Sequence, residues 1–286
     1  MLEFSKYHGT GNDFVMVEDL DDAIELSPTL VAAVCDRRFG IGADGIIRVT
    51  RADGADFFMD YRNADGSVAE MCGNGVRCLA KLVHDRGLSP ATTLAIDTRA
   101  GIKTVTLNLD GDRLGSVTVD MGPPAFTRSA IPMRGPAWEG FQMQSIEALG
   151  RTFTGSAVSM GNPHLVLFVD EQPADMPVLS AGPLLENHEA FPEKTNVEFV
   201  HIDGGRLLTR VWERGVGETM ACGTGACAVL AAANEAGLAP ARAEVVFPGG
   251  ALAVERTREG TMTLTGPAEH VFDGRLDPAH LEGKQG

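Results

Sequence analysis

The chain repeats itself at a spacing of 150 residues, and this repeat constrains the fold more than any other sequence feature. Internal similarity at a fixed spacing is the signature of a duplicated structural unit. We therefore interpret the chain as two homologous halves, with the boundary between them near residues 121–124. Four segments recur in the same order and without a gap: Gly11-Asn12 with Gly161-Asn162, Asp53-Gly54 with Asp203-Gly204, Cys72-Gly73-Asn74-Gly75 with Cys222-Gly223-Thr224-Gly225, and Gly87-Leu88-Ser89-Pro90 with Gly237-Leu238-Ala239-Pro240.

The hydrophobic pattern predicts the same architecture for both halves. A helical pattern follows each Cys-Gly-x-Gly segment and ends at Gly87 or Gly237. The second helix, Ala226–Ala236, is apolar on nearly every face, so we expect other structure to enclose it. We predict the α+β class, with each half a strand-rich shell or barrel around one central helix. The expected strands are residues 56–61, 92–98, 102–108, 116–121, 207–212, 243–247 and 262–265.

The length and the repeat together predict the domain boundaries. A chain of 286 residues is long enough to form two domains of ordinary size. We expect residues 1–121, completed by the C-terminal segment 267–286, to form the first domain. The second domain is then residues 122–266.

Composition argues against several classes of protein. The chain has 24 Lys and Arg against 39 Asp and Glu, a net charge of −15. A nucleic-acid backbone or an anionic membrane surface is therefore an unexpected partner, because each requires a basic face. No apolar run approaches the roughly 18 residues of a membrane helix, and Glu3 does not fit the apolar core of a signal peptide. We expect a soluble, cytoplasmic protein that acts on a small molecule.

The cysteines divide into two groups. Their odd number, without an export signal, does not indicate a disulfide framework, and their spacings are not those of zinc sites. Only Cys72 and Cys222 repeat at the common spacing. We expect Cys35, Cys78 and Cys227 to be core residues, because free cysteine is among the most buried residue types.

Cys72 and Cys222 each stand where a strand pattern changes to a helical one. The N–H groups at a helix start stabilise an anion, either a thiolate or a bound carboxylate. Two equivalent thiols suit inversion at a carbon that bears a hydrogen, because one thiolate removes the proton and the other thiol delivers one to the opposite face. Two helix N-termini would stabilise the resulting carbanion at its carboxylate without metal or cofactor. On pattern alone, a duplication with only a structural role fits equally well, and composition does not exclude a Schiff-base lysine.

Several segments resemble the signature segments of the diaminopimelate epimerase family, from about residue 2 to about residue 275. The resemblance implies pyridoxal-independent interconversion of LL- and meso-diaminopimelate, which feeds lysine and, in many bacteria, cell-wall synthesis. It also implies two pseudo-symmetric domains with the active site between them, no cofactor, and usually a homodimer. The matching segments are His8-Gly9-Thr10-Gly11-Asn12-Asp13-Phe14, Met71-Cys72-Gly73-Asn74-Gly75, Gly161-Asn162-Pro163-His164, residues 213–225 and Gly266-Pro267-Ala268.

The resemblance also implies roles for individual residues. Cys72 and Cys222 match the two acid/base cysteines; by family convention Cys72 is the donor and Cys222 the acceptor in the LL-to-meso direction. Glu213 and His164 match residues near the reacting centre, which we expect to bind the α-ammonium group or to tune the thiols. Arg214 is suited to a bidentate grip on the distal carboxylate. The expected substrate contacts are Asn12, Asn63, Gly73, Asn74, Asn162, Asn196, Glu213, Arg214, Gly223 and Thr224, with Gly73-Asn74 and Gly223-Thr224 cradling the reacting carboxylate.

Two positions depart from the family pattern. Gly45 stands where some members carry a glutamine that touches the substrate, and glycine has no side chain for that contact. Phe272 stands where some members have a tyrosine tied to the dimer contact, and phenylalanine lacks the hydroxyl of that tyrosine.

Ordinary structural roles are also consistent with several of these residues. Asn12 and Asn162 are typical turn residues. His164, between Pro163 and an apolar strand, fits a buried histidine of the core.

Three other functions compete with the epimerase interpretation. Proline racemase-type enzymes carry the same paired thiols, but their motifs differ from those of this chain. Their first motif resembles Cys-Gly-His-Gly, where this chain has Asn74 in place of the histidine. Asp-x-Ser-Pro precedes their second cysteine, where this chain has residues 218–221. Proline also lacks a distal carboxylate, which would leave Arg214 unexplained. A non-catalytic ligand-binding relative would not need both thiols. A redox-sensing protein would work through a Cys72–Cys222 disulfide.

Overall fold

The computed structural model describes residues 1–279, so the end of the predicted first domain, residues 280–286, lies outside the described residues. The chain divides into two compact units. Unit 1 comprises Met1–Val119 and the described residues from Gly266 to Ala279, and unit 2 comprises Asp120–Thr265. Within the described range, no helix has the length and apolar character needed to cross a membrane.

The described chain contains seventeen strands and four α-helices. In chain order they are β1 (Leu2–Gly9), β2 (Asn12–Glu18), α1 (Pro28–Cys35), β3 (Gly45–Thr50), β4 (Phe57–Asn63), α2 (Gly73–Asp85), β5 (Thr93–Asp97), β6 (Lys103–Asp110), β7 (Arg113–Gly122), β8 (Gln144–Ala148), β9 (Arg151–Ser159), β10 (Pro163–Phe168), α3 (Val178–Glu186), β11 (Asn196–Asp203), β12 (Arg206–Glu213), β13 (Gly217–Thr219), α4 (Gly223–Glu235), β14 (Arg242–Phe247), β15 (Gly250–Arg256), β16 (Met262–Gly266) and β17 (Glu269–Leu276). A single 3-10 turn, Pro173–Asp175, precedes α3.

Unit 1 is a mixed set of strands around helix α2. β1 pairs antiparallel with β2 and with β17, so the C-terminal strand belongs to this unit. β2 pairs parallel with β3 and β4 parallel with β5, while the β3–β4, β5–β6 and β6–β7 pairs are antiparallel. Helix α2 packs against β1, β2, β3, β4, β6 and β17. It is therefore enclosed by strands of its own unit.

Unit 2 repeats this arrangement around helix α4. β9 pairs antiparallel with β8 and β10, β10 pairs parallel with β11, and β12 pairs antiparallel with β11 and β13. β12 also pairs parallel with β14, and β14, β15 and β16 form an antiparallel meander. Helix α4 packs against β9, β10, β11, β12, β14 and β15. The predicted α+β fold, with one central helix in each half, is confirmed.

Both central helices end where the sequence predicts. Gly87 has φ +62° and Gly237 has φ +71°, left-handed values that a glycine adopts at low cost and that close a helix. The residues of α4 from Gly225 to Ala233 are all buried, as its apolar sequence predicts. The helix begins at Gly223, earlier than the predicted Ala226, because its N-cap is Cys222. Each predicted strand is present, with small shifts at its ends.

Two helices were not predicted. Ser27 caps α1 by accepting a hydrogen bond from the N–H of Leu30 at 3.2 Å, and Pro28 follows in the first turn. This Ser-Pro start is a signal from which α1 could have been found. Helix α3 carries Pro183 in its interior, a residue that ordinarily argues against a helix. Its packing against β11 and β12 stabilises it, which no local pattern reveals.

Strand register shows that the internal repeat has a one-residue irregularity, so the prediction of a gapless repeat is wrong at one strand. Phe14 of β2 lies opposite Gly45 of β3, whereas the matching His164 of β10 lies opposite Asn196 of β11. The counterpart of Gly45 is therefore Asn196, one residue later than the 150-residue spacing requires. Gly45 pairs with Asn63, and continuing the β11–β12 register places Asn196 beside Glu213, so Asn63 and Glu213 are counterparts.

Gly45 is closely packed against neighbouring backbone. A Cβ at this position would lie 2.4 Å from the carbonyl oxygen of Arg62 and 2.6 Å from Cε2 of Tyr61. We expect Gly45→Ala to lower the free energy of unfolding by about 1–3 kcal/mol, because overpacking against backbone forces the strand to shift. Urea unfolding followed by circular dichroism measures this change.

The matched control is Gly115→Ala, because Gly115 is also a strand glycine and its Cβ would meet only the Asn108 carbonyl oxygen, at 3.4 Å. We expect this control to keep wild-type stability within about 0.5 kcal/mol. Equal stability of the two variants would contradict the close packing at Gly45. The same clash means that the glutamine of some family members does not fit this backbone without a shift of β4.

Candidate functional site

The thiol of Cys72 lies at the start of helix α2. Cys72 is the N-cap residue, with extended backbone, and the N–H of Gly75 donates to its Sγ at 3.5 Å. A cap position places the sulfur beside the unsatisfied N–H groups and the positive end of the helix dipole. This position favours an anion, either on the sulfur or on a ligand next to it.

An asparagine holds Cys72 from the β1–β2 turn. The Cys72 thiol donates to Oδ1 of Asn12 at 3.5 Å, and the amide of Asn74 donates to the same oxygen at 3.2 Å. The amide nitrogen of Asn12 donates to Asp44 at 2.6 Å. Because a carboxylate only accepts, Asp44 fixes the amide of Asn12 with its oxygen toward the thiol. The guanidinium of Arg37 forms a salt bridge with the Asp44 carboxylate at 2.7 Å. Sequence analysis did not identify Asp44 as part of the site.

A fully buried arginine connects the start of α2, through hydrogen bonds, to the β1–β2 turn and to the segment before β17. The guanidinium of Arg77 donates to the Gly73 carbonyl at 3.3 Å, to the Thr10 hydroxyl at 3.4 Å and to the Pro267 carbonyl at 3.2 Å. Sequence analysis did not single out Arg77. Its position one helical turn after Gly73 was the available signal.

Asn63 lies at the end of β4, opposite Gly45. Its side-chain amide donates to the hydroxyl of Ser67 at 3.0 Å within the turn that follows. The structure thus gives Asn63 a turn role, and its expected substrate role remains a prediction.

Cys222 occupies the corresponding cap position at the start of α4, and it is 5% exposed. Its sulfur lies 3.5 Å from the hydroxyl of Thr224, to which the amide of Asn162 donates at 3.3 Å. Asn162 matches Asn12 in the repeat, and each lies where one antiparallel strand connects to the next, β1 to β2 or β9 to β10. The two asparagines are therefore more than turn residues, because each is hydrogen-bonded into the surroundings of a thiol.

A half-buried carboxylate lies next to Cys222. Glu213, at the end of β12, accepts from the Thr219 hydroxyl at 2.5 Å and from the Cys222 thiol. Burial raises the pKa of Glu213, and these two hydrogen bonds partly oppose the rise. Burial, followed by the charges of Glu213 and Glu198, raises the pKa of the Cys222 thiol well above its ordinary value, while the hydrogen bond with Thr224 lowers it.

His164 and Glu198 form a fully buried pair behind this group. Their Nδ1 and Oε1 atoms are 2.6 Å apart, and Nε2 of His164 lies 3.0 Å from Oδ1 of Asn162. His164 is thus both a satisfied core histidine and a neighbour of the Cys222 surroundings. Sequence analysis missed Glu198, although a glutamate within the apolar run Val197–Val200 was a visible signal.

Asn196 and Arg214 are linked through the backbone. The side chain of Asn196 donates to the Pro163 carbonyl at 2.8 Å and accepts from the backbone N–H of Arg214 at 2.9 Å. The guanidinium of Arg214 is exposed and donates to the Glu193 carbonyl at 3.2 Å. The Arg214 guanidinium thus contacts Glu193, whereas the carboxylate of the preceding Glu213 contacts Cys222.

The structure therefore gathers the predicted residues around two thiols, one in each unit. Asn12, Gly73 and Asn74 lie with Cys72, whereas Asn63 is at the end of β4. The residues near Cys222 are Asn162, His164, Glu213, Gly223 and Thr224, with Asn196 and Arg214 joined to one another. The remaining cysteines are buried core residues, and burial raises the pKa of Cys35 and of Cys78 to about 12. Among residues 1–279, no three His, Cys, Asp or Glu side chains are grouped to hold a metal ion.

Comparison with solved structures identifies the fold. The crystal structure of a probable proline racemase from Agrobacterium radiobacter K84 superposes with a TM-score of 0.70 at 15% sequence identity. The match covers 97% of this chain and 93% of that chain. At this identity the likeness shows a shared fold and does not indicate a shared substrate.

Comparison with sequences identifies the family. A family model described as diaminopimelate epimerase matches residues 4–127 and 156–271. The diaminopimelate epimerase of Desulforudis audaxviator is 47% identical over 277 residues, and that of Leptospira biflexa serovar Patoc is 43% identical over 281 residues. Each alignment covers 96% of this chain and 99% of the relative. The chain therefore belongs to the diaminopimelate epimerase family.

Proposed function

We propose that this protein catalyses the epimerisation of LL-2,6-diaminopimelate to meso-diaminopimelate without pyridoxal or any other cofactor. The product serves lysine and peptidoglycan precursor synthesis. The observation that carries the proposal is the pair of N-cap cysteines, Cys72 and Cys222, each beside a matching asparagine, in a chain of this family.

The two thiols would share the reaction at the α-carbon. The thiolate of one cysteine takes the α-proton, so a C–H bond breaks, an S–H bond forms and the electron pair spreads into the carboxylate. The thiol of the other cysteine then gives its proton to the opposite face of the carbon, which leaves that sulfur as the thiolate. The helix-start N–H groups at Gly73-Asn74 and Gly223-Thr224 would stabilise the charge on the carboxylate.

The other site residues have supporting roles in this proposal. Glu213 and His164 bind the α-ammonium group or tune Cys222, while the exposed Arg214 binds the distal carboxylate. Asn63, at the end of β4 in unit 1, and Asn196, at the start of β11 in unit 2, contact the substrate. In the LL-to-meso direction we assign Cys72 as donor and Cys222 as acceptor, and the roles exchange in reverse.

The predicted organisation is part of the same proposal. We propose two homologous domains, residues 1–121 with 267–286 and residues 122–266, supported by the matching strand order around α2 and α4. We also propose a cytoplasmic homodimer that does not bind nucleic acid. The net charge of −15 supports the last point. Phe272, which packs edge-on to Phe4 at 6.0 Å and is 44% exposed, is a residue through which β17 could contact a second copy.

Hydrogen exchange at the α-carbon tests this function. Purified protein in D₂O under reducing conditions, given LL-diaminopimelate and no added cofactor, is expected to form meso-diaminopimelate with deuterium at the inverted α-carbon. Proton NMR and mass spectrometry of the product measure the incorporation. Absence of exchange would contradict the proposal.

Proline is the matched control substrate, because the fold is shared with a probable proline racemase. Exchange into proline and not into diaminopimelate would favour a proline racemase-type activity. We expect the opposite, because proline has no distal carboxylate for Arg214.

A further inference from the structure

The two units differ in what lies behind their cysteines. By strand register, His164 and Glu198 of unit 2 correspond to Phe14 and Ile47 of unit 1. A Cβ on Gly75 in α2 would first meet the side chain of Ile47, whereas a Cβ on Gly225 in α4 would first meet Oε1 of Glu198, at 2.8 Å. The same backbone arrangement thus holds an apolar layer behind Cys72 and a carboxylate behind Cys222.

Burial of Glu198 in this position costs free energy. It is 0% exposed, its Oε1 lies against His164, and its Oε2 is buried without a hydrogen-bond partner among the described residues. Burying a carboxylate that is incompletely paired costs free energy that an apolar side chain would not. The apolar Ile47 shows that the fold itself does not require a carboxylate here. The charge therefore points to a role outside packing.

A chain of hydrogen bonds leads from Glu198 to the sulfur. Both ring nitrogens of His164 face oxygen atoms, Nδ1 toward Glu198 and Nε2 toward Asn162, and both donate only when the ring is doubly protonated. The amide of Asn162 then donates to Thr224, whose hydroxyl hydrogen is left for Cys222 Sγ, 3.5 Å away. From Nε2 of His164 onward, through Asn162 and Thr224, the donors point toward the sulfur.

The corresponding hydrogen bonds in unit 1 have the opposite direction. The Cys72 thiol donates to Asn12, and Asn12 donates to Asp44, so these donors point away from the sulfur. Asn12 thus accepts the hydrogen of the Cys72 thiol, whereas the chain at Cys222 ends in a hydroxyl donor to the sulfur. The charged or titratable groups that face Cys222 are Glu213 on β12, Glu198 on β11 and, through Asn162, His164 on β10.

We propose that Glu198 is a positioning residue for Cys222: by accepting from Nδ1 it holds His164 as a donor at Nε2 and so sets the direction of the hydrogen bonds that reach the sulfur. This inference rests on the proposed epimerase function for its effect on turnover. Its structural part stands independently, because the ring of His164 is observable without substrate.

The first test is nitrogen NMR of the wild-type protein. In protein labelled with ¹⁵N-histidine, long-range ¹H–¹⁵N correlation spectra near neutral pH are expected to show His164 with both ring nitrogens protonated. The variant His164→Gln assigns the signal among the seven histidines. A ring with one bare nitrogen would overturn the proposal, and this test holds whether or not any Glu198 variant folds.

The second test is Glu198→Gln, which keeps the size of the side chain and removes its charge. We expect the doubly protonated signature of His164 to be lost and kcat to fall about 10- to 100-fold, as for loss of a hydrogen bond to a charged group. KM is expected to stay near the wild-type value, because Glu198 is fully buried beneath His164. An unchanged His164 signal, or a normal kcat with the signature lost, would overturn the proposal.

The matched control is Asp60→Asn, which removes a 1% exposed carboxylate from the salt bridges of β4 in unit 1. It is expected to lower stability and to leave the His164 spectrum and kcat unchanged below its unfolding temperature. A loss of the His164 signature in this control would overturn the specific role of Glu198. If diaminopimelate is not turned over by the wild-type protein, the proposed function fails, while the His164 spectra of the wild type and of Glu198→Gln still decide the positioning role.

Discussion

Cys72→Ala and Cys222→Ala are each expected to lower kcat for diaminopimelate epimerisation at least about a thousandfold. General acid–base catalysis by a positioned side chain contributes about 10²–10⁴ in rate, and loss of either thiol removes one of the two proton transfers. The loss should be equally severe for both variants, because epimerisation needs a proton taken from one face and a proton delivered to the other. A coupled or chiral chromatographic assay of the product measures the effect.

The chain provides a matched control for each variant. Cys78 lies in α2 and Cys227 in α4, the same helices that Cys72 and Cys222 cap, and both are fully buried. Cys78→Ala and Cys227→Ala are expected to lose modest stability through small cavities and to keep near wild-type kcat. Substantial epimerisation by Cys72→Ala or by Cys222→Ala would contradict the two-base mechanism.

Oxidation and reduction of the wild-type protein separate the epimerase proposal from a redox-sensing role. A redox sensor would work as a Cys72–Cys222 disulfide, so its active form would be lost on addition of reductant. We expect the reverse, with oxidised protein inactive and activity restored by dithiothreitol, because the proton transfers need free thiols. Measuring turnover before and after reduction distinguishes the two roles. Activity that requires the oxidised form would contradict the proposal.

The local part of the fold was predictable because its signals lie within short stretches of sequence. The central helices follow from apolar periodicity, from their glycine stops and from the repeated Cys-Gly-x-Gly starts. Even so, the one-residue irregularity between β2 and β3 escaped detection, because flanking strands kept the common spacing. Only strand pairing shows that Gly45 and Asn196 are counterparts.

The supporting residues of the site were not predictable because their partners are distant in sequence. Asn12 and Asp44 are separated by 32 positions, His164 and Glu198 by 34, and Arg77 and Pro267 by 190. Periodicity and local motifs carry no information about such pairs. A buried arginine or glutamate in an apolar segment is a sign that a partner exists, but the fold decides which one.

Glu213→Gln is the second variant with a large expected effect, because it removes the charge next to Cys222 and nearly preserves the side-chain size. The neighbouring carboxylate opposes ionisation of the thiol, so its removal should lower the pKa of Cys222. The pH midpoint for alkylation of Cys222 by iodoacetamide should therefore fall, while that of Cys72 should not move. Peptide mass spectrometry after timed alkylation reports each thiol separately.

Turnover should also fall in Glu213→Gln, by about a hundredfold in kcat, since Glu213 accepts the hydrogen of the Cys222 thiol. The matched control is Glu218→Gln, on the adjacent strand β13, whose carboxylate pairs with Arg210 at 2.6 Å. This control removes a nearby charge and is expected to leave the Cys222 midpoint and kcat close to wild type. Equal shifts in both variants would indicate a general electrostatic effect and contradict a specific role of Glu213.

The two roles considered for Glu213 make different kinetic predictions. If its carboxylate mainly binds the α-ammonium group of the substrate, KM rises and the alkylation midpoint of Cys222 in the free protein stays unchanged. If it mainly tunes the thiol, the midpoint falls and the loss is concentrated in kcat. We expect the second pattern, because Glu213 is hydrogen-bonded to Cys222 and Thr219 before any substrate is bound. A raised KM with an unshifted midpoint would assign Glu213 to substrate binding instead.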